Sequence, residues 1–245
     1  MMPATIARRL AVGALTVLIV ALPGRAARAQ SLTVLPIAVQ MVPGQMTSIL
    51  RIINQGDSET TIQIRTFAWS QPEGKDQLTT SDEVLASPPL AMIPPGDTQI
   101  VRLVLRRRPL GREATYRILL DQLPPPAAPG TVRIALRLSI PIFAQPQTRA
   151  VPHLQFHIES NARQASLVAL NDGGSHEAIR DIALTASDGS GLKVETNASP
   201  YVLAGTTHSW RIVAQNLPVP GAIARLSARA DSGAFEQAVP VVAAP

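Results

Sequence analysis

The sequence contains no cysteine in 245 residues, and aromatic side chains make up only 3% of it. The absence of cysteine excludes disulfide bonds and the thiolate-ligated zinc sites that hold many small domains together. The scarcity of aromatics leaves aliphatic side chains to fill the interior, and hydrophobic residues account for 46% of the chain. We therefore expect stability to come from ordinary aliphatic cores.

Long hydrophobic runs are also missing. The only candidate, Leu10 to Leu22, follows Arg8 and Arg9 and precedes an Ala27-Arg28-Ala29 cleavage pattern before Gln30. It is shorter than the roughly 20 residues that a membrane-spanning helix needs. The pattern is typical of a secretory signal peptide, which we assign to residues 1–29. The mature chain is predicted to be exported, with no stable membrane insertion.

A strong net charge is missing once this segment is removed. The whole chain carries +5, and the arginines at positions 8, 9, 25 and 28 account for four of those charges, leaving +1. A near-neutral chain lacks the basic surface on which nucleic-acid binding depends, so no nucleic-acid partner is predicted. The run Arg106–Arg108 is interpreted as a solvated loop.

No helical period of useful length is present. Short β-like runs separated by turn residues begin at Leu32, with turn signals every 8 to 12 residues or so, the spacing of an all-β sandwich. After Pro152 the pattern restarts with "HLQFHIE", "QASLVALN", "IRDIALTA", "LKVET", "YVLAG", "HSWRIVAQN", "IARLSARAD" and "FEQAVPVV". We predict two immunoglobulin-like β-sandwich domains in tandem, residues 30–146 and 147–245, with a hinge from Gln145 to Pro152.

One strand pattern is exceptionally regular. The stretch "TVRIALRLSIPIF" at 131–143 places six large aliphatic side chains on one face. A strand of this kind at a sheet edge must be covered by its own domain or must pair with a partner. From the pattern alone, the two interpretations are equally favoured. The aliphatic face consists of Val132, Ile134, Leu136, Leu138, Ile140 and Ile142.

Residues that could support catalysis or metal binding are sparse. His153 and His157 would share a strand face, but two ligands do not make a metal site, and His176 and His208 are isolated in the sequence. No nucleophile elbow occurs, and "DGGS" at 172–175 is interpreted as a hairpin turn because no helix follows it. We predict no enzyme, no metal and no cofactor.

Three blocks carry a resemblance to a known family: "SPPLAMIPPGDTQIVRL", "REATYRILLDQLPP" and "VRIALRLSIPIF". In this order and spacing they resemble the PapD-like periplasmic chaperones of the chaperone-usher pilus pathway, and in detail the archaic, Csu-type branch. The resemblance extends to "LVALNDGGSHEAIRDIALT" and "YVLAGTTHSWRI" in the second half. It implies two immunoglobulin-like domains in a boomerang arrangement and a location in the periplasm of a Gram-negative bacterium.

The resemblance also implies a mode of binding. The strand at 131–142 would be the donor strand G1, which completes the fold of a pilin-like, spore-coat-U-like subunit until an outer-membrane usher accepts that subunit. Its subunit-binding residues would be Val132, Ile134, Leu136 and Leu138, whereas Ile140 and Ile142 are expected in the chain's own core. The apolar edge further raises the hypothesis that the free chain self-associates.

The family anchors the subunit's C-terminal carboxylate with an Arg on the first strand and a Lys on G1. Here "LPIAVQM" has no basic residue, and the lysine position falls on or near Pro141. Arg117 is our first candidate for this anchor and Arg102 the second, with an ordinary solvent-facing role for Arg117 equally favoured. Glu113 matches a glutamate that forms interdomain salt bridges in the family, but Gln145 replaces its usual arginine partner.

A second functional hypothesis is a secreted tandem immunoglobulin-like adhesin or structural pilus component. Such a protein would bury or blunt the strand at 131–142, whereas a chaperone has to leave it long, apolar and unblocked. The exposure of this strand therefore distinguishes the two hypotheses.

Overall fold

The computed structural model describes residues 32–124, 130, 134–196 and 199–244. Within these ranges the regular secondary structure is almost entirely β-strand, and the chain forms two sandwiches in sequence, as predicted. The first contains β1 Leu32–Leu35, β2 Val39–Met41, β3 Thr47–Asn54, β4 Thr60–Ser70, β5 Gln77–Thr80, β6 Val84–Ser87, β7 Leu90–Ile93, β8 Thr98–Leu105, β9 Ala114–Leu123 and β10 Arg137–Ala144. A short 3-10 turn, η1, spans Pro72–Gly74.

The first sandwich consists of a four-stranded sheet, in the order β1-β3-β8-β6, and a second sheet, in the order β2-β10-β9-β4-β5, with β7 also paired to β4. The apolar run "LPIAVQM" is divided between the two sheets, since Pro36 lacks a donor for a continuous ladder. The alternating aliphatics of both sheets meet in one core, which includes Leu50, Ile64, Val101 and Ile118.

The second sandwich contains β11 Leu154–Ser160, β12 Ala165–Asn171, β13 Glu177–Thr185, β14 Gly191–Val194, β15 Tyr201–Val202, β16 Thr206–Val213, β17 Ile223–Ala230 and β18 Gly233–Ala243. These correspond to the eight runs predicted from the sequence. Their order is β14-β16-β12-β11-β18-β17-β13-β15, and an additional pairing joins β14, at one end, to β13, next to the other end. Trp210 and Leu226 lie in its core.

One expectation for this domain is wrong. The "DGGS" segment does not form a hairpin, because β12 pairs with β11 and β16 whereas β13 pairs with β14, β15 and β17. The segment is a crossover between strands that are not neighbours. The side chain of Asn171 holds its start, accepting from the backbone N–H of Gly173 at 3.0 Å and donating to the carbonyl of Ser175 at 2.8 Å.

The two sandwiches repeat this asparagine clasp. Asn54 ends β3 and accepts from the N–H of Gly56 at 3.0 Å, while its amide donates to the carbonyls of Ser58 and Ile93 at 2.8 and 2.9 Å. Asn171 ends β12 and makes the corresponding bonds to Gly173, Ser175 and, at 3.0 Å, Val202. The sequence shows the repeat as Asn-x-Gly followed by "IPPGDT" in one domain and by "VLAGTT" in the other.

The strand predicted from residue 131 begins later than expected. β10 starts at Arg137; residues 134–136 are not assigned to a strand, and Val132 lies outside the described residues. Within β10, Ile140 and Ile142 are buried in the first core, as expected. Ile134 and Leu136, which precede β10 among the described residues, are not part of that core.

Candidate functional site

An open sheet edge runs along β10. β9 pairs with it antiparallel over Arg137–Ala144, but β2 pairs with it only at Ile142–Ala144. Within the described residues, no strand covers the other edge of β10 from Arg137 to Pro141. The carbonyl of Leu136 accepts from the N–H of Gln122 at 2.9 Å, so the backbone N–H and C=O groups of the even-numbered residues face β9. The backbone groups of the odd-numbered residues therefore face the open edge.

The apolar row of β10 continues beyond the core. Leu138 is partly buried against the first core, whereas Leu136 is 40% exposed and Ile134 is 91% exposed. Two large aliphatic side chains therefore stand in solvent directly before an unpaired strand edge. This arrangement favours the pairing of β10 with a partner over a purely internal role for the whole row.

An aromatic cluster lies where the β2-β10-β9-β4-β5 sheet meets the second domain. Trp69 and Phe143 of this sheet are buried with Leu203 of the second domain, and the partly buried Tyr201 packs on them. The rings of Trp69 and Phe143 lie with centroids 5.9 Å apart, and Tyr201 meets Trp69 edge-on at 5.6 Å. This aromatic cluster joins the two sandwiches.

Arg117 lies directly above the aromatic cluster. Its Cζ is 3.7 Å from the centroid of the Trp69 ring, and only 12% of its side chain is exposed, so a solvent-facing role is wrong. The guanidinium donates to the hydroxyls of Ser139 and Ser199, both at 3.3 Å, and lies 3.7 Å from a carboxylate oxygen of Asp76.

The electrostatics of Arg117 are those of a partly desolvated cation. Burial lowers the pKa of the Arg117 guanidinium, and the charge of Asp76 opposes this shift. The contacts of its N–H groups are long compared with a paired carboxylate, for which two parallel bonds of about 2.7–2.9 Å are usual. Among the described residues, the guanidinium therefore has no short charge-assisted hydrogen bond.

Arg102, the second anchor candidate, is in a different place. It is exposed on β8, in the β1-β3-β8-β6 sheet, opposite Ile49 on one side and Ser87 on the other. The structure therefore does not bring Arg102 together with Arg117 or with the aromatic cluster, since these belong to the other sheet.

Glu113 lies between the domains. Its side chain is fully buried; one carboxylate oxygen lies 2.6 Å from Nδ1 of His176, and the other accepts from the amide of Gln145 at 2.8 Å. The His176 ring stacks on Phe143 with a centroid distance of 3.4 Å. The replacement of the expected arginine by Gln145 is thus accompanied by a histidine that sequence reasoning had treated as isolated.

A second set of interdomain bonds involves Gln71 and η1. The Gln71 side chain accepts from the N–H of Leu203 at 2.9 Å and donates to the carbonyl of Tyr201 at 2.8 Å. Nδ1 of His208 donates to the carbonyl of Gly74 at 3.1 Å. No sequence motif marked these residues, because their partners lie more than 120 positions away.

Comparisons with known proteins agree with this architecture. Residues 31–150 match the family model of pili and flagellar-assembly chaperones, PapD N-terminal domain. Residues 31–150 therefore belong to the PapD-like chaperone family. A comparison with curated protein sequences gives no significant match.

Solved structures resemble this PapD-like chain over both domains. A chain in the CsuC–CsuE chaperone-tip adhesion subunit pre-assembly complex from archaic Csu pili of Acinetobacter baumannii has 22% identity and a TM-score of 0.65, covering 88% of this chain and 100% of that one. The YadV chaperone has 17% identity and a TM-score of 0.63, covering 85% and 98%. A chain in the Salmonella enterica SafA pilin–SafB chaperone complex has 16% identity and a TM-score of 0.61, covering 87% and 99%. At these identities the likeness shows the shared fold.

The described part of the PapD-like chain contains no group of three or more histidine or acidic side chains placed to hold a metal ion. His153 pairs with Asp172, and His157 lies 3.3 Å from Glu159. None of the helical structure within the described ranges is long and apolar enough to span a bilayer.

Proposed function

We propose that this chain is a periplasmic chaperone that binds and stabilises pilin-like subunits by donating the strand β10 and the segment before it. The observation that carries the proposal is the continuation of the β10 apolar row into solvent at Leu136 and Ile134, beside an edge that β2 leaves open. An added strand would obtain main-chain bonds from this edge, and the alternate side chains would enter the subunit's groove. Val132 and Leu138 would complete the row.

The energetics support a stable but releasable complex. Burial of a large aliphatic side chain contributes about 1.5–3 kcal/mol, so the donated row brings roughly 6–12 kcal/mol before ordering costs. A tandem adhesin would be expected to cover this edge, and the unpaired edge of β10 therefore favours the chaperone. SafB forms a complex with the SafA pilin and CsuC with the tip adhesion subunit CsuE, which supports a subunit of that kind here.

We further propose that Arg117 binds the subunit's C-terminal carboxylate. The guanidinium is held in place by Trp69 while its polar contacts remain long, so a carboxylate can replace Asp76 as its partner. A planar guanidinium fits a carboxylate with two parallel bonds, which an ammonium group cannot reproduce. The remote, exposed position of Arg102 favours Arg117 for this role.

Delivery to an outer-membrane usher requires a second surface, and the outer face of the β1-β3-β8-β6 sheet is suited to this role. The four strands contain no acidic residue, and Arg51 and Arg102 lie among aliphatic side chains that are 39–49% exposed. A partner with apolar and acidic groups would complement this face. The exposed aliphatics are Leu35, Ile49, Leu85, Ile100 and Val104.

The test is periplasmic co-expression of the tagged chain with the pilin-like genes encoded near its own gene. We expect a subunit to co-purify one to one with the wild type and to be degraded in the presence of Leu136→Asp, because a charge would enter the groove. Leu110→Asp is the matched control, since Leu110 is 92% exposed in the loop between β8 and β9. Equal recovery of the subunit with Leu136→Asp would contradict strand donation.

The anchor is tested in the same system. Arg117→Ala and Arg117→Lys should both lower subunit recovery, whereas Arg102→Ala should leave it unchanged. If Arg102→Ala abolished recovery and Arg117→Ala did not, the assignment of the anchor would be wrong while strand donation could still hold.

A further inference from the structure

A bridged carboxylate lies at the first residue of β10. Asp121, on β9, binds Nε of Arg137 with one oxygen and the guanidinium of Arg65, on β4, at 2.7 Å with the other. The Asp121 side chain is only 10% exposed, while those of Arg65 and Arg137 are 41% and 63% exposed. One carboxylate thus connects three adjacent strands on the outer face of the sheet.

This bridge differs from the exposed charge pair of the first domain, Asp82–Arg106. The bonds from Arg137 and Arg65 lower the pKa of the Asp121 carboxyl, so the carboxylate is charged throughout the neutral range. Asp82 and Arg106, by comparison, form a pair in which the side chains are 80% and 52% exposed. A shielded, doubly bonded carboxylate holds its partners more firmly than an exposed single pair does.

The position of the bridge matters because β10 is held on one side only. From Arg137 to Pro141 it pairs with β9 alone, and β2 takes part only from Ile142 onward. A one-residue slip would turn the apolar row to the opposite face, and a two-residue slip would move every donated side chain along the groove. Arg137 directly opposes Asp121 in the observed register, and a one-residue slip would place the two side chains on opposite faces of the sheet.

We propose that the Arg65–Asp121–Arg137 bridge is a register lock, which fixes the point at which the donor segment leaves the sheet. Its members are positioning residues that act through β10 and need not touch the subunit. The inference rests on the proposed strand donation. The lock would set the position of Ile134 and Leu136 along the subunit's groove. Arg137 is the more important of the two arginines. Arg65 lies on β4, which is already held to β9 by an eight-residue ladder, so its ion pair is not needed to fix that pairing.

The lock is tested on the free chain by amide hydrogen exchange. In the wild type the amides of Leu138 and Ile140 face β9 and should be protected, whereas the Ser139 amide faces the open edge and should exchange rapidly. In Asp121→Asn and Arg137→Gln, we expect the protection of Leu138 and Ile140 to fall by about tenfold or more, because this half of the strand would open locally.

Controls separate a lock from general stabilisation. Amides of the β4–β9 ladder should keep their protection in both variants, Arg65→Gln should have a smaller effect than Arg137→Gln, and Arg137→Lys should partly restore protection. Asp82→Asn, which removes the exposed pair, should leave β10 unchanged. Unchanged protection of Leu138 and Ile140, or an equal loss across the whole sheet, would overturn the proposal.

Co-expression distinguishes failure of the lock from failure of strand donation. If the bridge fixes the register in the wild type, Asp121→Asn should yield a subunit complex that dissociates faster than the wild-type complex. A subunit that binds the wild type and Asp121→Asn with the same dissociation rate would refute the lock and leave strand donation intact. If no subunit binds the wild type, strand donation fails, and the exchange data then decide whether the bridge sets the register of the free chain.

Discussion

Nδ1 of His176 lies 2.6 Å from a carboxylate oxygen of Glu113, across the boundary between the two sandwiches. Both side chains are almost completely buried, and Gln145 donates to the second oxygen. A buried acceptor with two donors from separate segments couples the linker, the first domain and the second domain. Removing it leaves both donors without a partner.

We therefore predict that Glu113→Ala lowers the free energy of unfolding by roughly 2–4 kcal/mol, because each buried donor left unsatisfied costs about 1–3 kcal/mol. Urea unfolding followed by intrinsic fluorescence, to which Trp69 at the domain interface and Trp210 in the second core both contribute, measures the effect. Glu59→Ala is the control, since Glu59 is exposed. Equal midpoints for the two variants would show that the contact does not couple the domains.

The linker is held by a glycine with no room for a side chain. A Cβ at Gly173 would lie 2.3 Å from the backbone nitrogen of His153 and 2.6 Å from the carbonyl oxygen of Val151. Neither atom can move without displacing the linker, so we expect Gly173→Ala to destabilise the protein by about 1–3 kcal/mol or more. The loss of stability is measured as the decrease in the midpoint temperature of thermal unfolding.

Gly191→Ala is the matched control, because a Cβ there meets nothing within 4 Å and neither glycine has a left-handed backbone. A small or stabilising effect is expected at Gly191. If both substitutions had the same effect, backbone entropy and not the packing of the linker on the crossover would be responsible.

The strand content of both domains could be predicted from the sequence, because alternation of aliphatic and polar residues reports directly which face of a strand is buried. The eight runs after Pro152 correspond to β11–β18, and Ile140 and Ile142 are in the core as expected. The start of β10 was wrong by several residues. Alternation continues through Ile134 and Leu136 because the pattern records an apolar face and not whether that face is covered in the free chain.

The interdomain contacts could not be predicted in the same way. His176 and Gln71 each have their main partners in the other domain, and no local period indicates such a pair. Arg117 was a candidate on a predicted strand, but its position over Trp69 and near Tyr201 of the second domain could not be read from the local pattern. The Asn-x-Gly repeat was a readable signal that would have identified Asn54 and Asn171.

His208 makes the stability of the domain interface depend on pH. Burial lowers its pKa from the usual value of about 6.5, with Asp76 and the Gly74 carbonyl opposing the shift, and Nε2 has no partner among the described residues. The unfolded chain therefore binds a proton at this site as the pH falls below about 6.5, whereas the folded chain binds it only at a lower pH. The contribution of His208 to stability is complete above that pH and is lost progressively below it.

His208→Asn should remove this dependence, since the amide can still donate to the Gly74 carbonyl but does not titrate in this range. We expect the difference in the free energy of unfolding between wild type and His208→Asn to change between about pH 7.5 and 5, with the wild type losing stability as the pH falls. His153→Asn is the control, because His153 is exposed and pairs with Asp172 outside the interface. A pH-independent difference at position 208 would contradict the prediction.

The asparagine clasps allow a matched test of the two domains. Asn54→Ala and Asn171→Ala each remove a fully buried amide that donates to two carbonyls and accepts from a glycine N–H. Each substitution should cost roughly 2–4 kcal/mol, because several buried backbone groups lose their partners together. Asn171 additionally accepts from the N–H of His153 at 3.1 Å, at the end of the linker. We therefore expect Asn171→Ala to increase hydrogen exchange both in its own domain and along the linker, whereas Asn54→Ala should affect the first domain alone; linker exchange that is equal in the two variants would show that the clasp does not hold the linker.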